Sequence, residues 1–169
     1  MDKAKVESIA VKYLDSIYHI AVNYCKNAED AADAVQNAFL KLLTADMVFN
    51  DDEHIHRWLI RVTINECKKV WRSFWHRNIG SLEALYETNE NDPILLQADD
   101  GQAEVKREMA EAVLHMPPKY STVLHLHYYD GYTVDEIADL LGLTPSNVAV
   151  RLHRGRQKLK ETLRKGDYL

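Results

Sequence analysis

Three observations predict an all-α protein built of two small helical domains joined by a flexible acidic linker. Apolar residues recur at three- and four-residue steps through most of the chain. A polar, acidic stretch at residues 77–101 breaks that rhythm. Near the end of the chain, a tight turn separates two capped helical patterns, the second far more basic than the first. The expected domains are a three-helix module at 1–76 and a second body at 102–169 that ends in a helix-turn-helix.

Residues 4–26 form the first predicted helix, with Val6, Ile9, Ala10, Tyr13, Leu14, Ile17, Ala21 and Tyr24 inward and Asn27 closing it. A second helix, about 28–45, opens with Glu29 and Asp30, acids suited to a positive helix end. Ala31, Ala34, Val35, Ala38, Phe39 and Leu42 make its buried stripe, leaving Asp33, Gln36, Asn37 and Leu40 outside. Leu40 among polar neighbours is either a partner contact or one of the lone exposed leucines common on any surface. Residues 46–53 interrupt the periodicity and read as a loop. From His54 to about Trp75 a long helix turns Ile60, Ile64, Cys67, Trp71 and Phe74 inward, widened by Ile55, Trp58 and Val62. Its other surface shows Arg57, Arg61, Asn65, Lys68, Lys69 and Arg72 between aromatics, a mixture that suits unstacked bases held on a basic face. The plainer alternative makes the tryptophans core and the bases solubilising.

Gly80, the run ETNENDP and Pro93 mark the linker. A fourth helix runs from near Gln102 to before Met116-Pro117-Pro118, because proline disfavours helix in the residue preceding it. Val105, Met109, Ala112 and Val113 face inward. Lys119 to Tyr129 forms the next helix, and Asp130-Gly131 turns into the final pair. There, Thr133 caps a helix to about Leu141 that is anchored by Ile137, Leu140 and Leu141. Gly142 supplies a left-handed end, Thr144 is the next cap, and Pro145 falls at the first helical position.

A helical wheel shows what the last helix is for. Val148, Leu152, Leu159 and Leu163 fall within roughly 60° of one another and face a core. Ser146, Ala149, Val150, His153, Arg154 and Gln157 lie opposite, with Arg151 and Arg156 on the two shoulders. From 149 to 165 seven Lys/Arg meet one acid, Glu161. Such a face suits a major groove, with bases read at its centre and phosphates gripped at its shoulders.

Over 169 residues the net charge is −5, which at first argues against nucleic acid. The distribution reverses this: residues 57–77 carry a local +5, whereas 81–111 carry −7. Cys25 and Cys67 form no C-x-x-C and no disulfide framework, as expected in a reducing cytoplasm. The first residues lack the apolar core of a signal peptide, and no apolar run approaches the roughly 20 residues of a membrane span. His54/His56 and His125/His127 resemble paired metal ligands. On a helix, though, residues two apart point about 200° away from each other and cannot share an ion. There is no phosphate loop, nucleophile elbow or H-E-x-x-H. No enzyme activity, metal or cofactor is expected.

Four segments carry a resemblance. Residues Glu29 to Leu40 resemble the EDAxDxxQxxFL helix of region 2 in bacterial sigma factors, and Trp58 to Val62 with Asn65 resembles the WLxRIxxN segment that follows it. Met116-Pro117-Pro118, the run through Tyr128-Tyr129 and Glu136-Ile137-Ala138 resemble region 4, and Asn147 to Arg156 is similar to its NVxxRLxRAR recognition helix. The matches lie in order over about residues 10–165. A chain too short for an intervening third region resembles the extracytoplasmic-function (ECF) group, RNA polymerase sigma factors that direct core polymerase to promoters.

The resemblance implies roles. Asp30, Asp33, Gln36, Phe39 and Leu40 would dock on the β′ clamp helices of core RNA polymerase. Phe49, Asn50 and Asp51, with Arg57, Arg61, Asn65 and Lys68, would open and read the −10 promoter element. Ser146, Asn147, Ala149, Val150, Arg151, His153 and Arg154 would meet the −35 element. Region 4 would also meet the β flap, the linker would run near the RNA exit path, and an anti-sigma factor is an expected partner. Three departures from the family pattern stand out. Ala149 and Val150 leave fewer direct base hydrogen bonds, which shifts readout toward thymine methyls or groove shape. Tyr120 stands near a usual Arg. Gly155 replaces a usual Ala at a helix cost of up to about 1 kcal/mol. The competing reading is a free-standing helix-turn-helix regulator whose first helices bind a ligand or dimerise.

Overall fold

Helix boundaries in this chain are set by whichever groups take up the orphaned terminal amides and carbonyls. The computed structural model describes residues 1–77 and 103–165; the side chains of 71, 73–77, 103–106 and 164–165 lie outside that description. Seven helices and no strand occur among the described residues. The expected linker and the inward placement of Trp71, Phe74 and Val105 lie outside the described part.

The chain divides into two units, Met1–Ser81 and Leu82–Leu169. In the first, α1 (Lys3–Cys25), α2 (Ala28–Leu43) and α3 (Asp52–Arg77) pack on one another. Asp2 caps α1 through the Ala4 amide at 3.1 Å. Its end differs from expectation: Lys26, not Asn27, closes it in a left-handed conformation at φ 57°, and Asn27 instead caps α2 through the Asp30 amide. A short amide acceptor one residue before a helix favours starting the next element over ending the last. The core joins Ile9, Ile17, Ile20, Ala31, Ala38, Leu42, Leu59, Ile60 and Cys67, all fully buried or nearly so. Leu14, expected inward, is exposed, because Ile17 and Ile20 already fill the stripe it borders. Leu59 and Thr63, which the predicted inward stripe of α3 did not include, are buried, while Trp58 is only half-buried.

The second unit contains α4 (Ala103–Leu114), α5 (Pro118–Leu124), α6 (Val134–Leu141) and α7 (Pro145–Lys165), with α7 packed against the other three. Met109 is exposed rather than inward, and Ala112 and Leu114 carry the buried side of α4. The helix expected to run regularly from Lys119 to Tyr129 instead loosens after Leu124 into a π-helical turn, His125–Tyr129. The Asp130 amide reaches back five residues to the His125 carbonyl at 3.1 Å. This wide turn is held by side chains. His125 Nε2 lies 3.3 Å from Asp130 Oδ2, and His127 Nδ1 lies 2.8 Å from the Tyr132 carbonyl. Both histidines thus have structural contacts of their own. Thr133 and Glu136 form a reciprocal capping box at the start of α6, and Gly142 ends that helix at φ 67°. Thr144 caps α7 through the Asn147 amide at 3.1 Å.

Lys26 carries both a backbone and an electrostatic cost. Left-handed backbone costs a residue with a Cβ roughly 1–2 kcal/mol. The side chain is 2% exposed, and its ammonium has no hydrogen-bond partner among the described residues. Burial pushes its pKa down from 10.5 to about 7. The unfolded chain therefore binds the extra proton between those two values, so this group's penalty is largest below pH 7 and fades as pH rises toward 10.5. Lys26→Met is expected to stabilise the protein at pH 6 by on the order of 3 kcal/mol, with the gain shrinking in alkaline melts. A gain that does not change with pH would contradict this.

Candidate nucleic-acid interface

Each unit turns one basic face outward. In the first, the loop before α3 is locked to the helix it precedes. Asp51 Oδ1 accepts from the His54 amide at 2.7 Å, and the Asn50 amide donates to His54 Nδ1 at 3.2 Å. The ring of Phe49 sits edge-on to His54 and Trp58, with centroids 5.2 and 5.7 Å away. Phe49 is therefore half-buried, while Asn50 and Asp51 are exposed. The carboxylate of Asp51 is engaged in capping α3. Down the helix from this loop, Arg61, Asn65, Lys68 and Arg72 are exposed at three- and four-residue steps, continuing the line of Arg57. Arg57 is half-buried, with Nε 3.4 Å from Glu53 Oε1.

On α2, Asp33, Gln36 and Leu40 are exposed, Leu40 by 53%, whereas Asp30 and Phe39 are half-buried. One buried carboxylate joins this surface to α3. Glu66 Oε1 accepts from Lys41 of α2 and, at 3.1 Å, from Lys69. The hydrogen bond from Lys41, assisted by Lys69, holds the Glu66 carboxyl below its ordinary value of 4.5 against the opposing effect of burial. Glu66 thus ties α2 to α3 and takes up Lys69, which the sequence pattern had placed on the free basic face. His56 on the same helix is buried, stacked on Tyr13 at 4.2 Å and 3.3 Å from Ser16 Oγ.

In the second unit, Val148 and Leu152 are buried, and Ser146, Asn147, Ala149, Val150, His153 and Arg154 are all exposed. Both shoulders are braced. Arg151 Nε donates to Asn147 Oδ1 at 2.9 Å, and Arg156 Nη1 donates to the Tyr128 hydroxyl at 2.7 Å. Over residues 146–154 the exposed face carries one arginine, one imidazole, small side chains and apolar Val150, and no acid. It offers hydrogen bonding, methyl contact and positive charge on a rod that fits a major groove. Gly155, expected to be a helix weakness, is buried: a Cβ there would lie 3.1 Å from Leu124 Cδ1 and 3.5 Å from Tyr120 Cβ. The close approach of α7 to α5 is the physical reason for glycine.

Two sequence families match this arrangement in order: Sigma-70 region 2 over residues 9–77, and Sigma-70, region 4 over residues 106–159. The chain belongs to the sigma-70 family. Among its relatives, an ECF RNA polymerase sigma factor, SigW of Bacillus subtilis (strain 168), is 28% identical over 159 residues, 90% of this chain and 85% of its own length. The RNA polymerase sigma-H factor of Pseudomonas aeruginosa is 25% identical over 169 residues, 96% of this chain and 88% of the relative. Among solved structures, the sigma factor RpoE of Bartonella quintana, crystallised with the anti-sigma factor NepR, shares the fold. Its TM-score is 0.67 at 17% identity, covering 94% of this chain and 96% of that one. These relatives place the chain in the ECF group, and its α6–α7 pair is the region 4 helix-turn-helix of a transcription initiation factor.

Two contacts of this sigma factor escaped the sequence pattern. Tyr128 and Arg156 are 28 positions apart, and no periodicity links them. Glu66 reads as one more surface acid, although on a helical wheel it falls within about 20° of Ile55 and Leu59, both of them buried. Its contribution to stability is present above the unfolded pKa of 4.5 and is lost as pH falls through the lower folded value. Glu66→Gln is expected to lower the melting temperature at pH 7, with the difference from wild type closing in acid. An equal loss at every pH would show that packing, not charge, accounts for it.

Proposed function

We propose that this ECF sigma factor engages core RNA polymerase and promoter DNA through three separate surfaces. Asp30, Asp33, Gln36, Phe39 and Leu40 dock on the β′ clamp helices. Phe49, Asn50 and Asp51, with Arg57, Arg61, Asn65 and Lys68, hold the opened −10 element. Ser146, Asn147, Ala149, Val150, Arg151, His153 and Arg154 meet the −35 element, and the second body also contacts the β flap. Residues 1–76 and 102–169 act as the two docking bodies, with 77–101 as the acidic tether. The observation that carries this reading is the exposed face of α7 over residues 146–154, free of acids, flanked by arginines and set in a chain that matches both sigma regions in order.

Small bodies with modest contacts gain selectivity when a larger machine presents both promoter elements at once, because the second contact becomes intramolecular. The protein works in the cytoplasm in a stress or envelope response and is held in check by an anti-sigma factor. Support for the last comes from the Bartonella quintana sigma factor of like fold, which was crystallised with one. No helix of the described residues is long and apolar enough to cross a membrane.

Run-off transcription with core polymerase, with and without this chain, tests the reading, the expected result being new start sites only in its presence. Leu40→Ala is expected to weaken polymerase binding at least severalfold with the helical circular dichroism intact. Arg154→Ala should leave polymerase binding unchanged and reduce promoter selectivity. Identical transcripts with and without the chain would refute the proposal.

A further inference from the structure

The two shoulder arginines of α7 share a feature that neither region 4 membership nor the wheel requires: each is held by a neutral oxygen. Arg151 donates to the amide oxygen of Asn147, four residues back on the same helix, and Arg156 donates to the phenol oxygen of Tyr128, in the π-helical turn. A carboxylate in either place would hold the guanidinium equally well but would cancel its charge. A neutral acceptor restrains the side chain and leaves the full positive charge, with its remaining N–H donors, available to an anion. Restraint in the free protein also reduces the side-chain ordering that binding would otherwise require. Tyr128 is itself 60% exposed, so its hydroxyl is not needed to fill a core. Its ring is separately placed by an edge-on contact with His127, centroids 4.9 Å apart, and His127 is in turn bonded to the Tyr132 carbonyl.

We infer that Tyr128 and Asn147 are positioning residues that pre-set Arg156 and Arg151 as phosphate grips on opposite sides of the groove-reading face. Asn147 then acts through Arg151 and not on a base, and Tyr128 brings a residue from outside the helix-turn-helix into promoter binding. This rests on the reading of α7 as the −35 helix.

The test uses holoenzyme assembled from core polymerase and the full chain, titrated against a labelled promoter duplex over a range of salt. Tyr128→Phe removes one hydroxyl and keeps the ring, and it should leave the melting temperature unchanged. It is expected to weaken binding about three- to tenfold, and to have almost no effect in an Arg156→Gln background. Arg156→Gln alone should lower the salt slope by about one. Asn147→Ala should weaken binding evenly across −35 variants, with its effect abolished by Arg151→Gln. Wild-type affinity in Tyr128→Phe, or an undiminished effect in the Arg156→Gln background, would overturn the Tyr128 assignment. Relaxed preference at a single −35 base pair in Asn147→Ala would make Asn147 a base reader and overturn its half. If wild-type holoenzyme binds the duplex no better than core polymerase alone, the −35 reading itself fails, and this inference with it.

Discussion

A helix in a small body can bury only one side, and in this protein the tightest expression of that limit is where α7 meets α5. Gly155 lies so close to Leu124 that a single methyl would press on the leucine side chain. With Val148 and Leu152 buried on the same side, the rotation of α7 about its own axis is set by packing. Its outward chemistry follows from that rotation: Ser146, Ala149, Val150, His153 and Arg154 face solvent because the opposite side has no room to turn. The loss of helix propensity at glycine, up to about 1 kcal/mol, is offset by the contact it permits.

The first unit obeys the same limit with different means. Its three helices share an apolar core, but Glu66 carries charge into the joint between α2 and α3 and is satisfied there by Lys41 and Lys69. A buried carboxylate with two cationic donors fixes how those helices sit, since removing either donor leaves the charge poorly compensated. Lys26 is the opposite case, a buried ammonium in left-handed backbone. It is a local cost that the remaining packing of α1 and α2 outweighs.

Most helices were legible in the sequence because three- and four-residue periodicity and caps act locally. The Thr133–Glu136 box, Gly142 and Thr144 behave as their types and spacing require. Other features lie beyond a wheel. Asn27 could end one helix or begin another, and only the left-handed turn at Lys26 decides it. The π-helical turn at His125–Tyr129 depends on contacts five residues along the chain, to Asp130 and Tyr132, that a wheel does not represent. Leu14 and Met109 carry the right periodicity and are nevertheless exposed, since neighbours occupy the space available. The candidate site divides the same way. Exposure along α3 and α7 followed from periodicity, while the bracing of Arg156 by Tyr128 and the capping use of Asp51 needed the folded chain.

Native-state hydrogen exchange on the full chain carrying Gly155→Val tests the seating of α7 most directly. Forcing a branched side chain against Leu124 is expected to speed exchange of α5 and α7 amides by on the order of tenfold, while the core amides of α1 to α3 keep their protection. Unchanged protection in α7 would show that the helix does not depend on that close approach, and the account of how its polar face is presented would fail.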